Sequence, residues 1–161
     1  MSTELTPYPR LTAWQRTQLL DIQVRPEQRP FSGDIQGALH TLLSQSSPDI
    51  QGLALLVENL PLAFLLLKHG PLVPPWAAPD AVTLHALQVD HRQQGHGLGQ
   101  ACLAGLPAMA RQLWPQAGCL QLSVDADNQT ARRLYLKMGW VDTGEGYRGR
   151  VGYERRLTLP L

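Results

Sequence analysis

The residues best suited to chemistry run from Gln94 to Ala101, Gln-Gly-His-Gly-Leu-Gly-Gln-Ala. Glycines at 95, 97 and 99 remove the Cβ atoms that would hold a ligand off the backbone, and they let successive N–H groups turn inward. A strand-like stretch, Val82 to Val89, leads in and a helix-like one leads out. The unbonded amides of a helix start and the positive end of its dipole therefore meet at the turn. Such a turn is an anion site, and phosphate is its usual guest. Its surroundings exclude two better-known phosphate loops. A dinucleotide fold places a ribose-binding acid about 20 residues further on, where this chain has Leu113 to Gly118. A nucleoside-triphosphate loop needs Gly-Lys-Ser or Gly-Lys-Thr, which is missing. On this stretch alone, a merely structural strand-to-helix turn remains the alternative.

The elements that must position this turn follow from periodicity and punctuation. Leu11 to Val24 has a partly helical apolar spacing and ends at Arg25-Pro26. Pro30-Phe31-Ser32-Gly33 reads as a turn, with Ser32 a cap for a second helix showing Ile35, Leu39, Leu42 and Leu43 on one face. Leu53 to Val57 and Leu62 to Leu67 read as a hairpin of buried strands around Glu58-Asn59-Leu60-Pro61. Gly70 to Asp80 holds four prolines around Trp76 and is a long loop. It either closes over a substrate or packs Trp76 on the sheet edge. After the glycine turn, Leu98, Cys102, Leu106, Met109 and Leu113 mark a helix, which Pro107 should kink near Leu103. Leu120, Leu122 and Val124 alternate with polar residues as a half-buried strand. Asp127 or Asn128 caps a last helix with Ala131, Leu134, Tyr135 and Met138 inward. Trp140 to Thr143 and Val151 to Leu159 close the chain as an antiparallel pair.

Composition narrows the class. The 161 residues suit one domain with a full core. Lys and Arg number 14 against 13 Asp and Glu, in runs no longer than two, which argues against nucleic acid or an anionic membrane as partner. Cys102 and Cys119 are too few for a disulfide framework, and no Cys or His pattern has metal-ligand spacing, so no metal is expected. Met1 to Glu4 lacks an export signal, and Glu58, Asn59 and Pro61 interrupt the longest apolar stretch. A cytoplasmic protein is the expectation.

Two stretches carry a family resemblance. Val89 to Gly99 resembles the acyl-CoA signature Gln/Arg-x-x-Gly-x-Gly/Ala of the GNAT N-acetyltransferases, read as Gln94-x-x-Gly97-x-Gly99 in preference to Arg92-x-x-Gly95-x-Gly97. Asn128 to Trp140 resembles their downstream Asn-x-x-Ala-x-x-Leu-Tyr-x-x-x-Gly-Phe. The likeness covers residues 80 to 160 well and the first half only as an order of elements. Departures are His96, Trp140 for phenylalanine, and Pro107. The resemblance implies one α/β domain of the α+β type over residues 1–161, with a mixed, mostly antiparallel twisted sheet flanked by helices and splayed where the cofactor enters.

It implies equally that acetyl-CoA donates an acetyl group to a primary amine by direct attack in a ternary complex. The pyrophosphate would sit on the amides of Gln94, Gly95, His96, Gly97, Leu98, Gly99 and Gln100. The pantetheine arm would run along the backbone of Leu87, Gln88 and Val89, with Asn128 reaching it while capping its helix. Attack by an amine on a thioester requires a proton acceptor for the amine and a donor for the departing sulfur. Tyr135 is the acid by position in the family, a core tyrosine being the alternative. For the base, His85, on a strand face with Thr83 and Leu87, stands beside Asp125 and water alone. The acceptor is a small amine, amino-acid-like or polyamine-like. Arg148, Arg150, Arg155 and Arg156 would attract a carboxylate, and the acids near the cleft (Asp80, Asp90, Asp125, Asp142, Glu145 and Glu154) are few for a polycation. The balance leans to an amine bearing a carboxylate or other polar groups. Acetylation of a protein lysine or N-terminus, and a non-catalytic CoA-binding module, are the rival readings. A homodimer is left open.

Overall fold

The computed structural model describes residues 2–144 and 153–161, and the backbone alone of Tyr147 and Arg148. The chain opens on an edge strand, Thr3–Pro7 (β1), antiparallel to Ile50–Val57 (β2). β2 and Leu60–Lys68 (β3) form the expected hairpin. Its turn residues Glu58 and Asn59 take φ of 49° and 70°, as a tight two-residue connection requires. β3 pairs antiparallel with Ala81–Val89 (β4), and β4 pairs parallel with Cys119–Asp125 (β5). Val141–Asp142 (β6) and Tyr147–Arg148 (β7) both pair antiparallel with Tyr153–Pro160 (β8), which also pairs antiparallel with β5. The sheet runs β1-β2-β3-β4-β5-β8-β6, with β7 beside β8. This is the expected mixed, mostly antiparallel sheet, with its one parallel junction between β4 and β5.

Helices cover both faces, so the hairpin is buried on each side and reads as two unbroken apolar runs rather than an alternation. Leu98–Leu113 (labelled α4 below) and Gln129–Lys137 (α5) cover one face. There Leu103, Leu106 and Tyr135 meet Leu53, Leu65, Leu67, Val82, Leu120 and Leu122. Ala13–Gln18 (α1), Arg29–Ser32 (α2) and Ile35–Leu43 (α3) precede them in the chain. On the other face Leu19, Ile22, Ile35 and Leu39 meet Ala54, Leu56, Phe64 and Leu66.

The first half departs from expectation locally. The helix expected over 11–24 is α1, closed at its start by a Thr12–Gln15 capping box and followed by a separate turn at Leu19–Asp21. Asp34, and not Ser32, caps α3. Its Oδ1 accepts the Gly37 N–H at 2.7 Å, while the Ser32 hydroxyl donates to the carbonyls of Gln28 and Gly33. β1 has no apolar run of its own, and its partner β2 makes it a strand. α4 continues through Pro107 over 16 residues, although that residue has no N–H for the Leu103 carbonyl. No helix among the described residues is long and apolar enough to cross a membrane.

Candidate functional site

β4 and β5 pair only where Ala81–Thr83 meets Cys119–Gln121, and beyond that point the two strands part. β4 is bent at the same place. Its register with β3 takes up one extra residue between the pairs Leu66–His85 and Phe64–Gln88, and Ala86 lies at φ 56°. A left-handed alanine costs about 1–2 kcal/mol, and bulges of this kind re-aim the side chains beyond them. Val82 and Leu84, then Leu87 and Val89, point into the α4–α5 core, whereas Ala86 packs on the opposite face. His85 therefore does not share a face with Leu87, as simple alternation had suggested. It does share one with Thr83, whose Oγ1 lies 2.7 Å from His85 Nε2.

Two cavities fill the opening. The larger, about 410 Å³, runs from the glycine turn along Leu87, Gln88 and Val89 to Tyr135. The smaller, about 280 Å³, continues from Tyr135 past His85 to Asp125 and Glu154. Phe31, Ser32, Leu87, Asn128, Ala131 and Tyr135 border both, so the two communicate.

The glycine turn is held from below. Asp90 is buried and binds the Arg92 guanidinium at 2.8–3.2 Å, while Arg92 Nη2 also donates to the Asp21 carbonyl. Gln94 Nε2 donates to the Val89 carbonyl and to Gln28 Oε1. Gly95 and Gly97 adopt φ of 86° and 76°, and a Cβ on either would meet nothing within 4 Å, so the space over the backbone is open. Gly97 is the N-cap of α4. Gly99 does a different task, since a Cβ there would lie 3.3 Å from the Leu134 side chain, which would have to shift by a few tenths of an ångström. A pocket over open amides at a 16-residue helix start fits a pyrophosphate, and the parted strand edges fit an extended arm. Of the residues expected to hold acetyl-CoA, Leu87, Gln88, Val89, Gln94, Gly95, Gly97, Leu98, Gly99, Gln100, Asn128 and Tyr135 border this cavity. His96 is exposed and lies outside its lining.

Asn128 caps α5, accepting the Ala131 N–H at 3.5 Å. Tyr135 is 9% exposed and packs near Trp140, so it is both a core residue and the wall between the cavities. Burial, with a smaller contribution from Cys102, pushes its hydroxyl well above the ordinary tyrosine range, and the phenol keeps its proton at neutral pH. His85 borders the smaller cavity as expected, but burial, aided by Lys68, pulls its imidazole down to about 3. A ring held neutral so far below its ordinary range is a weak proton acceptor, which counts against His85 as the base. Asp125 is buried. Its Oδ1 accepts the Asp127 N–H at 2.8 Å, and its Oδ2 has no partner among the described residues.

Of the four arginines expected to clamp a carboxylate, Arg155 and Arg156 are engaged elsewhere. Arg155 binds Asp142 at 3.0 Å and holds that carboxyl below its usual range. Arg156 donates to the Trp76 carbonyl and to Thr143 Oγ1. Arg150, Glu145 and the side chain of Arg148 lie outside the described residues. The proline-rich loop is tied to the sheet by this Trp76 contact and by Ala78 N–H donating to the buried Gln121 at 2.7 Å. None of residues 70–80 borders either cavity, so the loop does not close over them. Sequence reasoning missed Phe31, Ser32 and Ser123 as cleft residues. Only the exposed aromatic in Pro-Phe-Ser-Gly offered a signal, and turn chemistry accounts for it equally well. Among the described residues no group of three His, Cys, Asp or Glu side chains is placed to hold a metal.

Residues 11–140 match the family described as acetyltransferase (GNAT). Solved structures share the fold. One is the aminoglycoside acetyltransferase AAC(6')-Ib in complex with paromomycin and acetyl-CoA, at TM-score 0.75 and 17% identity over 99% of this chain and 94% of that one. The GNAT domain of Streptomyces lividans PAT aligns at 0.72 and 19% identity, over 99% and 90% of the two chains. An acetyltransferase from Thermus thermophilus aligns at 0.69 and 20% identity, over 100% and 98%. No curated protein matches the sequence.

Proposed function

The chain belongs to the GNAT acetyltransferase family, whose cosubstrate is acetyl-CoA, and we propose that it acetylates a primary amine of a small molecule, both substrates meeting in the β4–β5 opening. One observation carries this reading. Tyr135 stands between a cavity that reaches the glycine turn and a second that ends in carboxylates.

When bound, acetyl-CoA supplies the acetyl carbon that an amine attacks and a sulfur leaving group. The chain's residues do the rest. The amides of Gly95 to Gln100 hold the pyrophosphate, and the edge of β4 from Leu87 to Val89 aligns the arm. The bulge leaves the Ala86–Leu87 backbone out of regular register with β3, which makes its amides the donors best placed for charge developing on the acetyl oxygen. Tyr135 holds a proton at the junction for the sulfur. Asp125, whose Oδ2 has no hydrogen-bond partner among the described residues, takes the proton of the amine, directly or through water. His85 forms the cavity wall with its Nε2 engaged by Thr83. A cavity of about 280 Å³ suits a small molecule better than an extended peptide.

The test is release of the CoA thiol from acetyl-CoA across a panel of small amines and lysine-containing peptides. Turnover with at least one small amine, exceeding that with peptides, is expected. Turnover confined to peptides, or with no amine despite acetyl-CoA binding, would overturn the reading.

A further inference from the structure

The smaller cavity ends in two carboxylates, whereas acetylation of a lone amine calls for one. Asp125 and Glu154 stand directly opposite each other on β5 and β8. Side chains so placed share a face with Cβ atoms about 5 Å apart, and like charges there repel. Among the described residues neither carboxylate is in an ion pair, and no Lys or Arg borders the cavity. Among the described residues the neighbouring arginines are turned to other partners, Arg155 to Asp142 and Arg156 to Trp76 and Thr143.

Asp125 supplies an independent sign that a ligand belongs here. The residue is 6% exposed, borders the cavity, and has a buried Oδ2 atom with no hydrogen-bond partner among the described residues. A buried carboxylate oxygen without a donor is unfavourable, and a ligand cation reaching Asp125 would supply one. Glu154 is oriented toward the same space by the Ser123 hydroxyl, which donates to its Oε1 at 3.1 Å. Between the two acids and Tyr135 the cavity is bordered by Ser32, His85, Ser123 and Asn128, neutral polar groups that leave the two carboxylates as its only charges among the described residues.

We propose that Asp125 and Glu154 form a two-cation seat, and that the acceptor is a small di- or polyamine. Its reacting nitrogen faces Asp125, and a second cationic nitrogen is held by Glu154. The two nitrogens would be joined either by a linear carbon chain or by an aminosugar ring. The inference rests on the acetyltransferase reading and names the substrate class of the same site.

Calorimetric titration of the CoA-saturated protein tests the seat without requiring turnover. The titrants are spermidine, kanamycin, butylamine and leucine. Spermidine or kanamycin should bind at least roughly 10-fold more tightly than butylamine or leucine, and the better of the two identifies the linear or the aminosugar class. Glu154→Gln keeps the side chain's shape and an acceptor for Ser123 while removing its charge. It should weaken the polyamine roughly 10–100-fold and change butylamine far less, by under about threefold. Equal affinities in the wild-type protein, preference for leucine, or polyamine affinity unaffected by Glu154→Gln would each overturn the proposal. The wild-type ranking needs no variant, and the acetyl-CoA melting shift reports whether Glu154→Gln is folded. CoA release with amines alongside a flat ranking would remove the seat while leaving the acetyltransferase reading in place.

Discussion

At one end of the β4–β5 opening the groups that face a ligand belong to the main chain. At the other end they are side chains. The glycine turn offers amides over which a Cβ at Gly95 or Gly97 would meet nothing, so what binds there depends on backbone shape and hardly on residue identity. The far end offers Asp125, Glu154 and a neutral His85 beside Ser32, Ser123 and Asn128, where every contact depends on which residue stands there. A main-chain site can remain the same across proteins that share little sequence, as the neighbours below 25% identity illustrate for the fold. A side-chain site is free to change, and on the proposed reading that is where the acceptor would be selected. Tyr135 sits where the two constructions meet.

The comparison is broken most severely by Gly97→Glu. The variant places a negative charge at the N-cap of α4, so the rise in melting temperature on adding acetyl-CoA should vanish. In the wild-type protein that stabilisation is about 4 kcal/mol at a thousandfold excess over Kd. Gly97→Ala sharpens the point. It pays for φ 76° with about 1–2 kcal/mol of fold stability, but its Cβ meets nothing, so the acetyl-CoA shift should survive. An acetyl-CoA shift retained by the glutamate variant would show that the pyrophosphate lies elsewhere.

Tyr135→Phe probes the junction. It keeps the packing on Trp140 and removes one hydroxyl, so acetyl-CoA binding should persist while turnover falls by about 10²–10⁴-fold. A loss of less than about threefold, measured under saturating substrates, would leave Tyr135 as core alone.

The smallest effect belongs to His85. Its pKa is lowered from 6.5 to about 3 in the folded chain, so the unfolded chain binds the proton more readily. The resulting stability is present above pH 6.5 and is lost as pH falls toward 3. His85→Gln removes that dependence, so the wild-type melting temperature should fall more steeply than the variant's across this window. Parallel curves would mean that the ring is not held neutral by burial.

What the sequence alone determined is what local pattern can encode. Glycines spaced by two ahead of a helical stripe specify the turn, and Asn128 before a periodic segment specifies a capped helix. Two continuous apolar runs around Glu58-Asn59 specify the hairpin. Even Tyr135 could be placed, because helical spacing brings it inward from the cap. The tertiary structure decided whatever depends on register between distant segments. Alternation alone puts His85 and Leu87 on one face, and only the extra residue that β4 takes up against β3 separates them. Asp125 and Glu154 are far apart in the chain, and nothing near either one announces the other. Their apposition follows from how β8 aligns on β5, where a slip of one residue would turn Glu154 to the opposite face. The arginines could be counted in the sequence, but their engagement with Asp142, Trp76 and Thr143 follows from the loops and strands that fold beside them. Burial, likewise a property of the assembled sheet, is what lowers the His85 pKa and could not be read from its place in the strand.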